Sequence, residues 1–227
     1  MSQQYEYTFL LTIMLIGDTG VGKSGVFTRL NPSLNFQWNS NTRPTIGVDP
    51  CIAYQSPYQN SYDKSLRFHT LDASGHERFR AFIAKYYSRV NGFLLTYDIT
   101  KRESFLNLAS WLERSKAGAS PTAEYVLLRN CCDLEEERKV SYEEGREFAE
   151  KHNMMFFEVS AKSGETIKSA MKVLASKLVD LKQKEGELRR AALREEIALE
   201  RKSQVQKVEI FKKILQSLSE GFLNFFL

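Results

Sequence analysis

Short, nearly continuous hydrophobic runs alternate along this chain with segments whose hydrophobic residues recur every three or four positions. The runs are typical of buried β-strands, and the three-to-four spacing is typical of helices that pack one face on a core. Strands that alternate with helices in this way favour a doubly wound α/β sheet, mostly parallel, with ligand loops at the carboxyl ends of its strands. The strand-like runs are 9–16, 92–97, 125–128 and 154–159, and the helical segments are 105–112, 141–152 and 167–178.

The stretch between Val48 and Phe68 departs from this alternation. Two short extended segments, 52–54 and 66–68, flank a polar stretch at 55–61. Extended segments joined by a polar turn favour an antiparallel hairpin, which belongs at the edge of a mostly parallel sheet.

The composition changes near Asp180. From 181 to 202 the chain is dense in Lys, Arg and Glu, and within 208–225 hydrophobic residues return at steps of three and four. We therefore predict three parts, which are an N-terminal tail at 1–8, a globular domain at 9–182 and a charged and amphipathic helical C-terminal extension at 183–227.

The end of this extension carries a hydrophobic helical seam at 205–227. Such a seam, flanked by lysines, fits a partner helix or coiled coil, a membrane surface, or the chain's own globular domain. The pattern leaves these three alternatives open.

Composition limits the partners and the compartment. The chain has 32 basic and 28 acidic residues, and a net charge of +4 is too small to indicate nucleic-acid binding. Three cysteines, two of them adjacent, cannot form the disulfide framework of a secreted domain. No signal sequence or run of transmembrane length is visible, and no cysteine follows Cys132. We expect a cytoplasmic protein, or one peripheral on endomembranes, without a prenyl anchor.

A glycine-rich loop joins the first hydrophobic run to a helical segment. It matches the pattern GxxxxGK followed by serine, and it lies between a strand and a helix start, where this pattern binds phosphate. Its glycines let successive backbone N–H groups surround a polyphosphate at the positive end of the helix. Lys23 is expected to reach the outer phosphates, and Ser24 to hold a bridging magnesium ion. The candidate phosphate-binding residues are Gly17, Asp18, Thr19, Gly20, Val21, Gly22, Lys23, Ser24 and Gly25.

A carboxylate and a glycine follow the second extended segment of the predicted hairpin. Asp72 can hold magnesium through water, and three residues later the N–H of Gly75 can face a terminal phosphate. Together with the phosphate loop, this pattern resembles the Ras superfamily of small GTPases. Residues 45–49 and 94–100 resemble its Rab branch most, and the resemblance covers about residues 9–180.

The resemblance implies a P-loop NTPase G domain, with a mostly parallel six-stranded sheet and helices on both faces, that binds GTP or GDP with Mg²⁺. It implies that Thr45 coordinates the ion with Ser24, that Asp72 holds it through water, and that Lys23 and Gly75 act on the γ-phosphate.

Two further loops match the family's guanine site. Asp133, in an NKxD-type motif, is expected to accept guanine N–H groups, which disfavours an adenine nucleotide. An SAK-type loop is expected to supply the alanine N–H that reads the guanine carbonyl oxygen. The residues of these two loops are Asn130, Cys131, Asp133, Ser160, Ala161 and Lys162.

Two positions depart from the family pattern. His76 stands where most members have the glutamine that orients the attacking water, so we expect slow hydrolysis; a general-base role of the imidazole is the alternative. Cys131 replaces the lysine that packs along the base and contacts the phosphate loop, so weaker affinity and faster exchange are expected. A metal or redox role for Cys131 and Cys132 is one interpretation, and the other is that they are small side chains that close a strand end.

Phe36 is a candidate to cover the edge of the guanine. The alternative is that it anchors its loop through hydrophobic contacts.

These residues predict a guanine-nucleotide-binding switch of Rab-like type that hydrolyses GTP slowly. By analogy with the Rab branch, we expect it to act in vesicle traffic. GTP and Mg²⁺ would order 32–50 and 73–87, and effector and regulator proteins would read that form. The rival interpretation is a non-catalytic, GTPase-like interaction module that acts through its helical tail. His76 and Cys131 favour the rival, whereas the intact phosphate loop and Asp133 favour nucleotide binding.

Overall fold

The computed structural model describes residues 9–31, 34, 37, 43–55, 66–164 and 166–223. Side chains are described for these residues up to 202, except 53–55, and also for residues 204 and 207. The strands are β1 Phe9–Ile16, β2 Val48–Gln55, β3 Leu66–Ala73, β4 Gly92–Asp98, β5 Glu124–Asn130 and β6 Met155–Glu158. The helices are α1 Lys23–Leu30, α2 Arg80–Ala84, α3 Arg102–Leu106, α4 Leu108–Gly118, α5 Tyr142–Lys151 and α6 Ile167–Leu223.

The six strands form one sheet in the order β2-β3-β1-β4-β5-β6, and neighbouring strands are parallel except for β2 with β3. The mostly parallel six-stranded sheet and the antiparallel hairpin at its edge are therefore confirmed. Parallel pairing brings the carboxyl ends of β1, β3, β4 and β5 to one edge, where the candidate loops begin. Because β2 is antiparallel, its first residue Val48 pairs with Ala73 at that same edge.

Hydrophobic cores lie on both faces of the sheet, and alternate residues of β1 divide between them. Leu11, Ile13 and Leu15 pack with α1 and the first turns of α6. Met14 and Ile16 pack with α2, α4 and α5 on the other face. Strands covered on both faces need hydrophobic residues at nearly every position, which explains the continuous run of β1.

Helix α6 contributes to both compact units of the chain, Met1–Asp180 and Leu181–Leu227. In the first unit its residues Ile167, Met171, Leu174 and Leu178 are buried, with the three-to-four spacing of a core-facing helix.

In the second unit, α6 continues to Leu223. The seam predicted at 205–227 involves side chains outside the described part of the chain, so it stays a prediction. Among the residues that the structure describes, no helix is long and hydrophobic enough to cross a membrane. The exposed large hydrophobic residues of this unit include Leu188, Leu193, Ile197 and Leu199.

Candidate functional site

The glycine-rich loop takes a shape that two of its glycines permit. Gly17 has φ 141°, and a Cβ there would lie 2.1 Å from the Thr96 carbonyl oxygen of β4. Gly22 has φ 85°, and its Cβ would lie 2.1 Å from Asn130 Nδ2. Only glycine lets the loop approach these neighbours so closely. The loop leads into α1 at Lys23, where the first helical N–H groups have no partner within the helix.

Lys23 is buried beneath the loop. The residue is 5% exposed, and its Nζ donates to the Asp18 carbonyl oxygen at 2.6 Å. Burial lowers the pKa of Lys23 to about 8, whereas the charges of Asp72 and Asp18 act in the opposite direction. A buried ammonium group with donors to spare is stabilised by an anion, so this side chain is placed for a phosphate.

Three oxygen-bearing side chains from different elements meet at one point. Ser24 Oγ, at the start of α1, donates to Asp72 Oδ2 near the end of β3 at 2.5 Å. Thr45 Oγ1 donates to the same carboxylate oxygen at 3.0 Å and lies 3.0 Å from Ser24 Oγ. The pairing of Val48 with Ala73 brings the segment before β2 to this point.

This cluster fits a magnesium ion. Its donors are all oxygens, the ligands that Mg²⁺ prefers, and Asp72 Oδ1 is buried without a hydrogen-bond partner among the described residues. Burial raises the pKa of the Asp72 carboxyl, and the hydrogen bond from Ser24 and the charge of Lys23 oppose that shift. A cation would satisfy Oδ1 and favour the ionised carboxylate. Ser24, Thr45 and Asp72 are the residues that would hold it.

The glycine after β3 touches the phosphate loop. A Cβ on Gly75 would lie 2.2 Å from the Thr19 nitrogen and 2.3 Å from the Asp18 carbonyl carbon, so no side chain fits between the two loops. One residue earlier, the N–H of Ser74 donates to the Gly47 carbonyl oxygen at 2.8 Å. The segments before β2 and after β3 are therefore joined directly.

Asn130 links the phosphate loop to the loop after β6. It is 1% exposed, its Nδ2 donates to the Val21 carbonyl oxygen at 2.8 Å, and its Oδ1 accepts from the Ala161 N–H at 3.0 Å. Ser160 Oγ donates to Asp133 Oδ1 at 2.7 Å. The structure thus brings the two predicted guanine loops together beside the phosphate loop.

Arg29 supports the second of these loops, and sequence reasoning missed it. Its Nε donates to the Ala161 carbonyl oxygen at 3.1 Å, and its Nη2 donates to the Lys162 carbonyl oxygen. No motif marks Arg29, because its partners lie far away in the sequence.

The side chain of Asp18 is held by α4 and the residue before it. Trp111 Nε1 donates to Asp18 Oδ1 and Asn107 Nδ2 donates to Asp18 Oδ2, each at 2.7 Å. Sequence reasoning placed Trp111 only in the hydrophobic pattern of a helix. The available signal was that a buried indole N–H needs an acceptor.

The ring of His76 is engaged within its own turn. Nδ1 accepts from the Arg78 N–H at 3.4 Å and lies 3.2 Å from Glu77 Oε2, and the side chain is 40% exposed. Ser74 and Gly75 line the cavity beside the phosphate loop, but His76 is not among the described residues that line it.

The segment before Thr45 is only partly described. Arg43 and Pro44 line the cavity beside the phosphate loop, and no motif had marked them. Phe36 lies outside the described residues, so its predicted contact with the guanine edge stays a prediction.

Cys131 follows β5 in a left-handed conformation, with φ 66°. Burial raises the pKa of its thiol to about 12, helped by the charge and hydrogen bond of Asp98 and by the charge of Asp133. A thiol that stays protonated is a poor nucleophile and a poor metal ligand. This side chain also packs against the hydrophobic core. Of the two interpretations, the contact favours a small residue that closes the strand end, rather than a metal or redox role.

Comparisons with known proteins agree with this arrangement. Residues 12–180 match the model of the Ras family. The chain is also similar to the Ras-related protein Rab-13 of Rattus norvegicus, with 37% identity over 175 residues, which cover 77% of this chain and 82% of that protein. The range matched by the family model contains every loop of the candidate site.

Proposed function

Because this chain belongs to the Ras family as a Rab-like small GTPase, we propose that it is a switch with slow GTP hydrolysis in vesicle traffic on endomembranes. Proteins of this family bind GTP or GDP with Mg²⁺ and hydrolyse GTP. One observation carries the proposal for this chain's own residues: separate loops converge through the contacts Ser24–Asp72, Asn130–Val21 and Ser160–Asp133.

The phosphate loop, 17–25, is assigned to the polyphosphate. Its backbone N–H groups surround the phosphates, and the buried Lys23 stabilises the negative charge that develops on the transferred group. A magnesium ion held by Ser24 and Thr45, with Asp72 behind a water ligand, would neutralise further phosphate charge.

The base is assigned to the loops after β5 and β6. The Asp133 carboxylate accepts from Ser160 and retains acceptor capacity for guanine N–H groups. The Ala161 N–H donates to Asn130 here, and a bifurcated hydrogen bond would let it serve the guanine carbonyl as well. The Lys162 stem is assigned to the face of the base. Cys131 in place of the family's lysine makes this side of the site weaker and nucleotide exchange faster.

The switch is assigned to the segments that contain Thr45 and Gly75. Thr45 reaches Ser24 and Asp72, and Gly75 lies against the phosphate loop. Because Ser74 N–H also bonds the Gly47 carbonyl, a γ-phosphate that binds one segment also stabilises the other. Effectors and regulators would read the two ordered segments together.

Slow hydrolysis is assigned to His76. In-line attack needs a group that holds the water at the γ-phosphate, and its rate depends strongly on that position. The hydrogen bond that His76 Nδ1 accepts from the Arg78 N–H holds the ring in its own turn. If His76 acted as a general base, the rate would rise little, because the transition state is loose and the attacking water is hardly deprotonated when it forms.

Nucleotide binding tests the proposal. With Mg²⁺ present, we expect GDP and GTP to bind at least about 100-fold more tightly than ADP, because an adenine leaves the Asp133 acceptor unpaired. Asp133→Ala should reduce this preference, and Asp180→Ala, at the last residue of the first unit, should not. No binding of guanine nucleotide at millimolar concentration would contradict the switch.

A second proposal concerns the helical extension. Leu188 is 71% exposed and Leu199 is 62% exposed, and a partner helix or a membrane surface would cover such large hydrophobic side chains. We infer that the extension, with the seam predicted at 205–227, contacts a partner helix or a membrane surface.

A further inference from the structure

Lys101 reaches the phosphate loop from the turn between β4 and α3. Its Nζ donates to the Gly20 carbonyl oxygen at 2.7 Å and lies 3.3 Å from Asp98 Oδ2. Gly20 is in a left-handed conformation with φ 74°. No part of the phosphate-loop pattern includes Lys101.

The turn that carries Lys101 is fixed by its own hydrogen bonds. Thr100 donates to Asp98 Oδ1 from its backbone N–H at 2.9 Å and from its hydroxyl at 2.8 Å. The Lys101 N–H donates to the Asp98 carbonyl oxygen at 3.0 Å, and Ser104 Oγ donates to the Lys101 carbonyl oxygen at 2.7 Å. Asp98 itself is buried, so the backbone that carries the Lys101 side chain is held in a fixed position.

A donor on the Gly20 carbonyl also orients an N–H of the loop. The Gly20 carbonyl and the Val21 N–H belong to one planar trans peptide group and point in opposite directions. Asn130 Nδ2 orients the next peptide group in the same way, through the Val21 carbonyl. Lys101 and Asn130 together hold two successive carbonyls, and therefore two successive N–H groups, of the loop assigned to phosphate.

Cys131 explains why this position matters in this chain. The cysteine stands where the family has the lysine that contacts the phosphate loop, and its short side chain ends at Asp98, to which the thiol is hydrogen-bonded. Lys101 approaches the same Asp98 carboxylate and extends from it to Gly20.

We propose that Lys101 is a positioning residue for nucleotide binding, which holds the phosphate loop through Gly20 and does there what the short side chain of Cys131 cannot. The inference rests on the proposed guanine-nucleotide site. Its consequence is kinetic: without Lys101, the loop's N–H groups lose their fixed direction and the bound nucleotide leaves sooner.

The test measures the dissociation rate of fluorescent GDP, with Mg²⁺ present, from the full chain and its variants. Lys101→Ala should raise this rate at least about tenfold, the effect expected when one hydrogen bond from a charged donor is removed. Lys101→Arg, which keeps a donor, should restore most of the wild-type rate, and Lys101→Met, which keeps the length, should not. Lys151→Ala, which removes an exposed lysine at the end of α5, should leave the rate unchanged.

A double variant tests the link to position 131. Cys131→Lys should slow dissociation, and in that background Lys101→Ala should change the rate less than about twofold, because two residues that serve one contact are not additive. If Lys101→Ala has no effect alone, or an undiminished effect beside Cys131→Lys, this inference is wrong while nucleotide binding stands. If the unaltered chain does not bind GDP, the proposed function itself is wrong.

Discussion

The guanidinium group of Arg29 donates from Nε to the carbonyl oxygen of Ala161 at 3.1 Å, although the two residues are 132 positions apart. Its Nη2 donates to the next carbonyl oxygen, that of Lys162. One planar group with several donors therefore fixes two successive peptide groups of the loop after β6. Because the Ala161 carbonyl shares a peptide group with the Lys162 N–H, Arg29 also sets the direction of that donor.

Replacing Arg29 should weaken nucleotide binding without removing any residue assigned to contact nucleotide. We expect Arg29→Ala to lower GDP affinity about tenfold, which corresponds to about 1.4 kcal/mol. The GDP affinity of Arg29→Lys should lie between those of Arg29→Ala and the wild type, since an ammonium group cannot reproduce the two-donor fork. The measurement is GDP titration, with Arg146→Ala as a matched control, because Arg146 pairs with Glu150 on the exposed face of α5. An affinity within twofold of wild type would contradict this role.

Replacing His76 should accelerate hydrolysis. His76→Gln restores the side chain found in most of the family, so single-turnover GTP hydrolysis should rise at least about tenfold, or about 1.4 kcal/mol in the barrier. His152→Gln makes the same chemical change far from the site, beside Phe148, and should leave the rate unchanged. An unaltered rate in His76→Gln would show that position 76 does not limit the reaction.

Cys131 should resist alkylation. The pKa of its thiol rises from the ordinary 9.0 to about 12, so the folded chain holds it protonated where the unfolded chain begins to ionise. The stability that this thiol contributes is present below pH 9 and is lost as the pH rises from 9 towards 12. At pH 9, iodoacetamide should label Cys131 at least about 100-fold more slowly in the folded than in the urea-unfolded chain. Mass spectrometry of the labelled peptide gives both rates, and equal rates would favour a reactive role.

Removal of 205–227 should separate the possible partners of the helical extension. If the seam lies on a membrane surface, liposomes with anionic lipid should sediment the full chain and not the shortened one. If it pairs with a second helix, sedimentation velocity should show a larger species that the truncation abolishes. GDP binding by the shortened chain serves as the folding control. Equal behaviour of both chains in both assays would remove the two interpretations.

The parts of the site that sequence could predict are those where chemistry allows few residues. Gly17 and Gly22 are required by contacts that would exclude any Cβ, and Asp72 lies near the end of a strand that is next to β1. Such requirements are local, so they leave short motifs. The doubly wound sheet follows from a similar constraint, since buried parallel strands must be hydrophobic on both faces.

The supporting contacts could not be predicted, because their residue types carry no local signal. Arg29 and Lys101 act on backbone carbonyls, which every residue offers, and their partners are set by the tertiary fold. Asn107 and Trp111 read as an ordinary amphipathic helix, and only the structure shows that both donate to Asp18. A motif reports what touches a ligand far better than what holds the motif in place.

The hydrogen bond from Trp111 to Asp18 also makes the intrinsic tryptophan fluorescence of this protein a probe of its phosphate loop. The sequence contains two tryptophans, Trp38 and Trp111. In Trp38→Phe, therefore, all indole emission comes from a ring whose nitrogen is attached to the phosphate loop. Any change in the field or hydrogen bonding at Asp18 acts directly on that chromophore, so an intrinsic fluorescence change should follow the filling and emptying of the loop without an added label.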